Sequence, residues 1–141
     1  MLAKNLQKLL LNLSMNKEFK SIVDRALYED LGAGDVSASL LADEQVQATI
    51  ICRERAIICG IEFAQTAFLS LDKDIEINWL VEDGDLINSS QLLCSLSGSS
   101  RAIISAERVA LNFLQTLSSV ATQTHFLVDK ISHTKAQLLD T

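Results

Sequence analysis

A long run with almost no charge, from Ser105 to Ile131, constrains the fold of this chain more than any other segment. It opens with Glu107 and Arg108, and no charged residue follows until Asp129. Apolar residues recur in the run at the spacing of one helix face, which predicts a long amphipathic helix. The residues of this apolar stripe are Ala110, Phe113, Leu114, Leu117, Ala121, Val128 and Ile131.

A second stripe of the same predicted helix is polar but neutral. It begins at Arg108 and continues through Asn112, Gln115, Ser119 and Thr122. A helix face in contact with water typically carries charged residues. The stripe therefore indicates a face buried against another subunit, a second domain or a ligand. The alternative, which periodicity alone favours, is an ordinary core helix in which Arg108 pairs with an acid.

The same run is too polar to be a transmembrane helix, because hydrogen-bonding side chains interrupt it densely. These residues are Asn112, Gln115, Thr116, Ser118, Ser119, Thr122, Gln123, Thr124 and His125. We therefore predict no association with a membrane.

Length and charge limit the classes of protein to consider. The chain has 141 residues, which fit one domain or one domain and part of another. Its 48% of hydrophobic residues is enough to build a core. A formal net charge of −6 argues against nonspecific binding of nucleic acid. Because cations are scarce, Arg101 and Arg108 are the residues to consider first for an anion site.

The cysteines and the N-terminus indicate a cytoplasmic protein. Cys52, Cys59 and Cys94 are odd in number and form no C-x-x-C pair, which suggests free thiols in a reducing compartment. His125 and His133 lie far from them, so we predict no metal site and treat both as surface or internally bonded histidines. The N-terminal run lacks the cleavage site of a signal peptide.

The remaining residues alternate between helical and strand patterns. Strands joined by hairpins indicate an α+β domain, not a doubly wound sheet. In order, the patterns predict a helix over 17–31 ended by Gly32, a hairpin over 45–59, a helix over 61–71, a strand over 75–80, and a strand over 91–96 that ends at Gly98.

Two acidic turns could suggest ligand sites, but neither pattern is specific. Residues 32–35 contain a Gly-x-Gly, yet they follow a helix and have acidic neighbours, unlike a phosphate-binding loop. Asp83 and Asp85 flank Gly84 without a third ligand nearby, so we interpret them as solvated turn residues.

Several segments occur in an order that identifies a family resemblance, which extends from about Val23 to the last residue. They are Glu29–Gly32, Gly34–Ser37, Arg53–Glu54, Cys59–Gly60, Trp79 with Asp83–Asp85, Ala106–Gln115, Leu117–Thr122 and Ala136–Thr141. Together they resemble quinolinate phosphoribosyltransferase, also called carboxylating nicotinate-nucleotide pyrophosphorylase. The run Ala106–Gln115 is the most specific.

The sequence departs from the family pattern at three positions. Ser37 stands where threonine is usual, and Ser119 stands where glycine is usual. The family motif that begins with Asp140 and Thr141 continues with Arg-Lys-Thr, whereas this sequence ends at Thr141.

The resemblance implies a fold of two parts. Residues 1–113 would form an N-terminal α/β sandwich with antiparallel strands. Residues 114–141 would begin a C-terminal α/β barrel, which is incomplete here, with a long helix and a first strand over 137–141.

The resemblance also implies a reaction. Quinolinate and phosphoribosyl pyrophosphate would give nicotinate mononucleotide, pyrophosphate and CO2 in NAD biosynthesis, with Mg²⁺ whose ligands lie outside this sequence. In a homodimer, Arg108 would bind a quinolinate carboxylate in the partner subunit's site. Asp140 and Thr141 would begin the substrate-binding motif, and no catalytic residue is assigned.

We expect the 141 residues alone to be inactive, because one strand cannot close a barrel. Two alternatives remain open. One is a non-catalytic dimerisation module. The other is a related phosphoribosyltransferase-like protein with a different substrate, such as a nicotinate enzyme or a molybdenum-transport-associated protein.

Overall fold

The structure is a computed structural model that describes residues 2–32 and 42–139, with side chains from residue 17 onward. It confirms the α+β class. Residues 33–35 of the predicted turn and Ser37 lie outside the described residues. The helices and strands are α1 (Leu2–Leu31), β1 (Gln45–Cys52), β2 (Ala56–Ile57), α2 (Ile61–Leu71), β3 (Glu76–Trp79), β4 (Leu86–Ile87), β5 (Gln91–Ser99) and α3 (Ser100–Ile131).

The strands form two antiparallel sheets. In the larger sheet β5 is central and pairs with both β1 and β3, from Gln45 opposite Ser99 at one end to Trp79 opposite Cys94. The smaller sheet pairs β2 with β4. The predicted hairpin over 45–59 is therefore wrong, because β1 and β2 belong to different sheets. The alternation of apolar and polar residues identifies the two faces of a strand, but it does not identify the strand that pairs with it.

Gly98 lies inside β5 and does not end it, contrary to the prediction. A Cβ atom built on Gly98 would lie 2.8 Å from the Cγ1 atom of Ile75. The missing side chain therefore allows buried Ile75 to pack against the backbone of β5. Glycine in a strand often marks such a close approach.

The main core lies between the three helices and the larger sheet. Val23 and Leu27 of α1, which lie within the helix predicted over 17–31, are buried there. The helix over 61–71 is confirmed as α2, and its Phe68 is one of the largest fully buried side chains of the described residues. A smaller cluster of Ile58, Val81, Ile87 and Leu93 fills the space around β2 and β4.

Helix α3 begins at Ser100, before the start that the uncharged run suggested. The side chain of Ser99 caps it by accepting a hydrogen bond of 3.2 Å from the N–H of Ala102. Ala110 and Leu114 of the predicted apolar stripe are buried, but Val128 is exposed. No helix in the described part of the chain is long and apolar enough to cross a bilayer.

The end of the chain gives no support for the predicted barrel strand. Residues 136–139 have no regular secondary structure, and Asp140 and Thr141 lie outside the described residues. A strand requires a hydrogen-bonding neighbour, and none pairs with 136–139 among the described residues. The predicted domain boundary after Phe113 falls inside α3, which continues unbroken across it.

Candidate functional site

Arg108 lies on the exposed side of α3, next to the end of α1. Its Nη1 atom is 3.4 Å from Oδ1 of Asp30, in the last turn of α1. The Arg108 side chain is 82% exposed, whereas the Asp30 side chain is only 24% exposed. The acid that the core-helix alternative required is therefore present. However, the contact is single and long for a charge-assisted hydrogen bond, so most of the guanidinium remains accessible.

A large open groove runs between β1 and α3, with a volume of about 1280 Å³. Its apolar lining includes Ile50 of β1, Leu96 of β5 and Leu111 of α3. Arg53 and Arg55, from the connection between β1 and β2, also line it. Polar side chains of α3 complete the lining: Gln115, Ser118, Ser119, Thr122 and Gln123.

Two hydroxyl groups of α3 bind the backbone of the β2 region. Thr122 Oγ1 accepts a hydrogen bond of 2.9 Å from the N–H of Ile57. Ser118 Oγ accepts one of 3.0 Å from the N–H of Cys59 and donates to the Cys59 carbonyl at 3.2 Å. These bonds attach the smaller sheet to the long helix and define one side of the groove.

No residue of the predicted neutral stripe on α3 is fully buried in the described structure. Thr122 is bonded to the backbone, whereas Asn112, Gln115 and Ser119 are exposed. The predicted burial of this stripe against another subunit, a second domain or a ligand therefore stays a prediction.

The acidic turn over 82–85 stabilises the backbone. Asp83 Oδ1 accepts a hydrogen bond of 3.1 Å from the N–H of Ile61, at the start of α2. An acid at a helix N-terminus is favourable, because the N–H groups there lack partners within the helix. Asp85 Oδ2 accepts from the N–H of Glu82 at 2.9 Å. Both carboxylates are exposed, as predicted, but their sequence pattern did not reveal these contacts.

The other reactive residue types do not assemble a reaction centre within the described residues. All three cysteines are free. Burial raises the pKa of Cys94 to about 11, and burial followed by the negative charge of Asp83 raises the pKa of Cys59. A raised pKa keeps these thiols protonated and poorly nucleophilic. No group of three or more potential metal ligands occurs in the part of the chain that the structure describes.

Comparison with known proteins identifies the family. A model of the family described as "Quinolinate phosphoribosyl transferase, N-terminal domain" matches residues 35–118. The chain belongs to this family. The matched segment contains β1 through β5 and the first part of α3, including Arg108.

Individual relatives agree with this assignment. The chain is 36% identical over 115 residues to a chloroplastic nicotinate-nucleotide pyrophosphorylase (carboxylating) of Oryza sativa subsp. japonica, covering 79% of this chain and 31% of the relative. A probable enzyme of the same name from Bacillus subtilis is 29% identical, covering 88% of this chain and 43% of the relative. The chain therefore spans less than half the length of these relatives.

A solved structure agrees with the fold. The nicotinate-nucleotide pyrophosphorylase from Francisella tularensis matches 89% of this chain and 45% of its own chain. The two are 41% identical and superpose with a TM-score of 0.86. The N-terminal fold of the quinolinate phosphoribosyltransferase family is therefore present here.

Asp30 and Ser118 contribute to this region, but sequence reasoning did not single them out. Asp30 could have been noticed because the last turn of α1 carries no basic residue to offset its acids. Ser118 lies beside the polar stripe, and nothing in its spacing indicates a bond to Cys59. Asp140 and Thr141, the other predicted site residues, lie outside the described residues.

Proposed function

We propose that this chain is the N-terminal part of a quinolinate phosphoribosyltransferase. The enzyme would convert quinolinate and phosphoribosyl pyrophosphate to nicotinate mononucleotide, pyrophosphate and CO2, in NAD biosynthesis. The observation that carries the proposal is the exposed guanidinium of Arg108, inside the segment that matches the family. Arg108 is held loosely by Asp30 and keeps most of its donors accessible.

The chemistry of quinolinate suits such a residue. Quinolinate is a dianion, and its ring nitrogen attacks the ribose carbon before one carboxylate leaves as CO2. A guanidinium stays charged at every relevant pH and presents its N–H groups in a planar fork that matches a carboxylate. Arg108 would therefore position the substrate and offset its repulsion from the pyrophosphate.

We propose that Arg108 acts in the site of a partner subunit in a homodimer. The guanidinium is directed to solvent, since 82% of the Arg108 side chain is exposed. The last third of α3 also exposes large apolar side chains, among them Val120 and Phe126, which favours contact with a further surface.

The remaining parts of the proposal come from the resemblance. Mg²⁺ would serve the whole enzyme; the described residues offer no cluster to hold it, so we assign it no ligand here. Asp140 and Thr141 would begin the substrate-binding motif. A cytoplasmic location remains our proposal, although several plant relatives are chloroplastic or mitochondrial by name.

The test is an assay of the longest polypeptide that the coding sequence specifies. It would be supplied with phosphoribosyl pyrophosphate, Mg²⁺ and either quinolinate or nicotinate, and mononucleotide and CO2 would be measured. We expect mononucleotide from quinolinate, with one CO2 released for each molecule formed. Mononucleotide formed with nicotinate but not with quinolinate would support the alternative of a related enzyme with a different substrate. No mononucleotide from either compound would contradict the proposal. Residues 1–141 expressed alone should be inactive.

A further inference from the structure

The structure assigns a role to Asp30 that depends on the proposed function of Arg108: we propose that Asp30 is a positioning residue that orients the Arg108 guanidinium toward a substrate carboxylate. The two residues lie on different helices and are separated by most of the N-terminal domain in sequence. Their contact therefore depends on the packing of α1 against α3.

The position of Asp30 needs an explanation that α1 does not supply. An acid in the last turn of a helix is electrostatically unfavourable, because the unsatisfied carbonyl groups there already carry partial negative charge. Asp30 lies in that turn together with Glu29, and the turn has no basic residue. The Asp30 side chain is nevertheless more buried than exposed and is directed at Arg108. The positive charge of Arg108 on α3 offsets the unfavourable negative charge of Asp30 at the end of α1.

The geometry of the contact leaves the binding edge of the arginine open. Asp30 reaches only Nη1, at 3.4 Å. The edge formed by Nε and Nη2 is one of the two edges of a guanidinium that can bind a carboxylate through two parallel hydrogen bonds. A contact at Nη1 restrains the side chain without occupying that edge, and the 82% exposure of Arg108 keeps the edge accessible.

The benefit of the restraint is a smaller loss of entropy on binding. Arginine is one of the side chains that loses most rotamer freedom when it is fixed. Because Asp30 already restricts the Arg108 side chain in the free protein, this side chain loses less conformational freedom when a substrate binds. The substrate therefore binds more tightly. Arg108 is largely exposed to solvent, so the effect is modest, roughly two- to fivefold in affinity.

The test compares quinolinate KM and kcat for variants of the longest polypeptide that the coding sequence specifies. Asp30→Ala should raise KM roughly two- to fivefold and leave kcat nearly unchanged, because the restraint acts on binding. Asp30→Asn keeps an acceptor oxygen and should have a smaller effect. Glu29→Gln is the control, since it removes one charge from the same helical turn; its KM should equal that of the unaltered protein. Circular dichroism would verify that each variant is folded.

Measurements in the Arg108→Ala background distinguish the positioning role of Asp30 from the proposed function of Arg108. There, Asp30→Ala should have no further effect on KM, since the residue that it positions is missing. If Arg108→Ala raises KM but Asp30→Ala leaves it unchanged or lowers it, the positioning role is refuted, and a lowered KM would identify Asp30 as a competitor of the substrate. An equal effect of Asp30→Ala in both backgrounds would also refute it. If Arg108→Ala itself leaves KM unchanged, the proposed function of Arg108 fails first.

Discussion

Thr122, at the start of the last third of α3, provides the hydrogen-bond acceptor for the N–H of Ile57 in β2, at 2.9 Å. One turn earlier, Ser118 bonds both backbone groups of Cys59. The helix thereby gives β2 the partners that a neighbouring strand would provide, while β2 pairs with β4 through its own ladder. The hydroxyl groups of Thr122 and Ser118 therefore attach the smaller sheet to α3, along one side of the groove.

Removing the Thr122 hydroxyl should destabilise the chain. Thr122→Val keeps the shape of the side chain but leaves the part-buried N–H of Ile57 without its acceptor, at a cost of about 1–2 kcal/mol. Thr122→Ser should retain most of the stability. Thr124→Val, at an exposed position of the same helix, is the control. The measurement is urea unfolding of the 141-residue chain. Equal stability of the two valine variants would show that the bond contributes nothing.

Gly60 should tolerate alanine much less well than Gly84. Both glycines have a left-handed backbone, with φ of 102° and 100°. A Cβ on Gly60 would lie 2.9 Å from Leu117 Cδ1 and 3.3 Å from the Phe113 carbonyl oxygen, whereas a Cβ on Gly84 would meet nothing within 4 Å. Gly60→Ala should therefore cost about 1–3 kcal/mol more than Gly84→Ala, because overlap adds to the shared backbone strain. Similar unfolding midpoints for the two variants would contradict the close packing of α2 on α3.

Local patterns in the sequence predicted the helices and the α+β class, but they did not predict how strands pair. Helical periodicity identified α2 and the second half of α1, because a helical pattern depends on residues three or four positions apart. The pairing of β1 with β5 joins Gln45 to Ser99, and no local signal encodes a contact at that separation. The roles of Gly98 and Gly60 were missed for the same reason, since each is set by a side chain from a distant segment.

The candidate site was predicted only in part. Arg108 could be singled out because a single cation stands at the start of a neutral helix face, whereas its proposed role toward a substrate carboxylate came from the family resemblance. Its contact with Asp30 could not be inferred, because it depends on the way α1 packs against α3.

The stability of the chain should fall above about pH 9 through Cys94. Its pKa rises from 9.0 to about 11 on folding, because burial disfavours the thiolate. Below pH 9 both states keep the proton, and the contribution of this thiol to stability is constant. Between pH 9 and 11 the unfolded state loses the proton while the folded state retains it, so alkali favours unfolding.

Comparison with Cys94→Ala isolates this effect from the other groups that titrate in alkali. The variant should be less stable overall, because it leaves a cavity in the core. The difference in unfolding free energy between the two chains should nevertheless shrink as the pH rises from 9 to 11. If the difference in unfolding free energy does not change with pH, the pKa of Cys94 is the same in the folded and unfolded states.

The exposed end of α3 should promote self-association if it forms part of a dimer interface. Val120 is 62% exposed, so Val120→Asp should disrupt association without damaging the core. Leu117 is unsuitable for this test because it packs against Gly60. Light scattering over a range of concentrations would give the mass of each variant, with Asn88→Asp, at an exposed position outside α3, as the charge-matched control. Association that is equally strong in Val120→Asp would exclude this part of α3 from the interface.

The quinolinate KM of Arg108→Ala, measured in the longest polypeptide that the coding sequence specifies, tests the central claim most directly. Arg108→Lys would retain the charge without the planar fork, and Lys73→Ala would remove an exposed cation from the connection between α2 and β3. We predict that Arg108→Ala raises KM at least about tenfold, that Arg108→Lys restores only part of the loss, and that Lys73→Ala has no effect. An unchanged KM in Arg108→Ala, with normal folding, would remove Arg108 from the substrate site and leave it as a surface partner of Asp30.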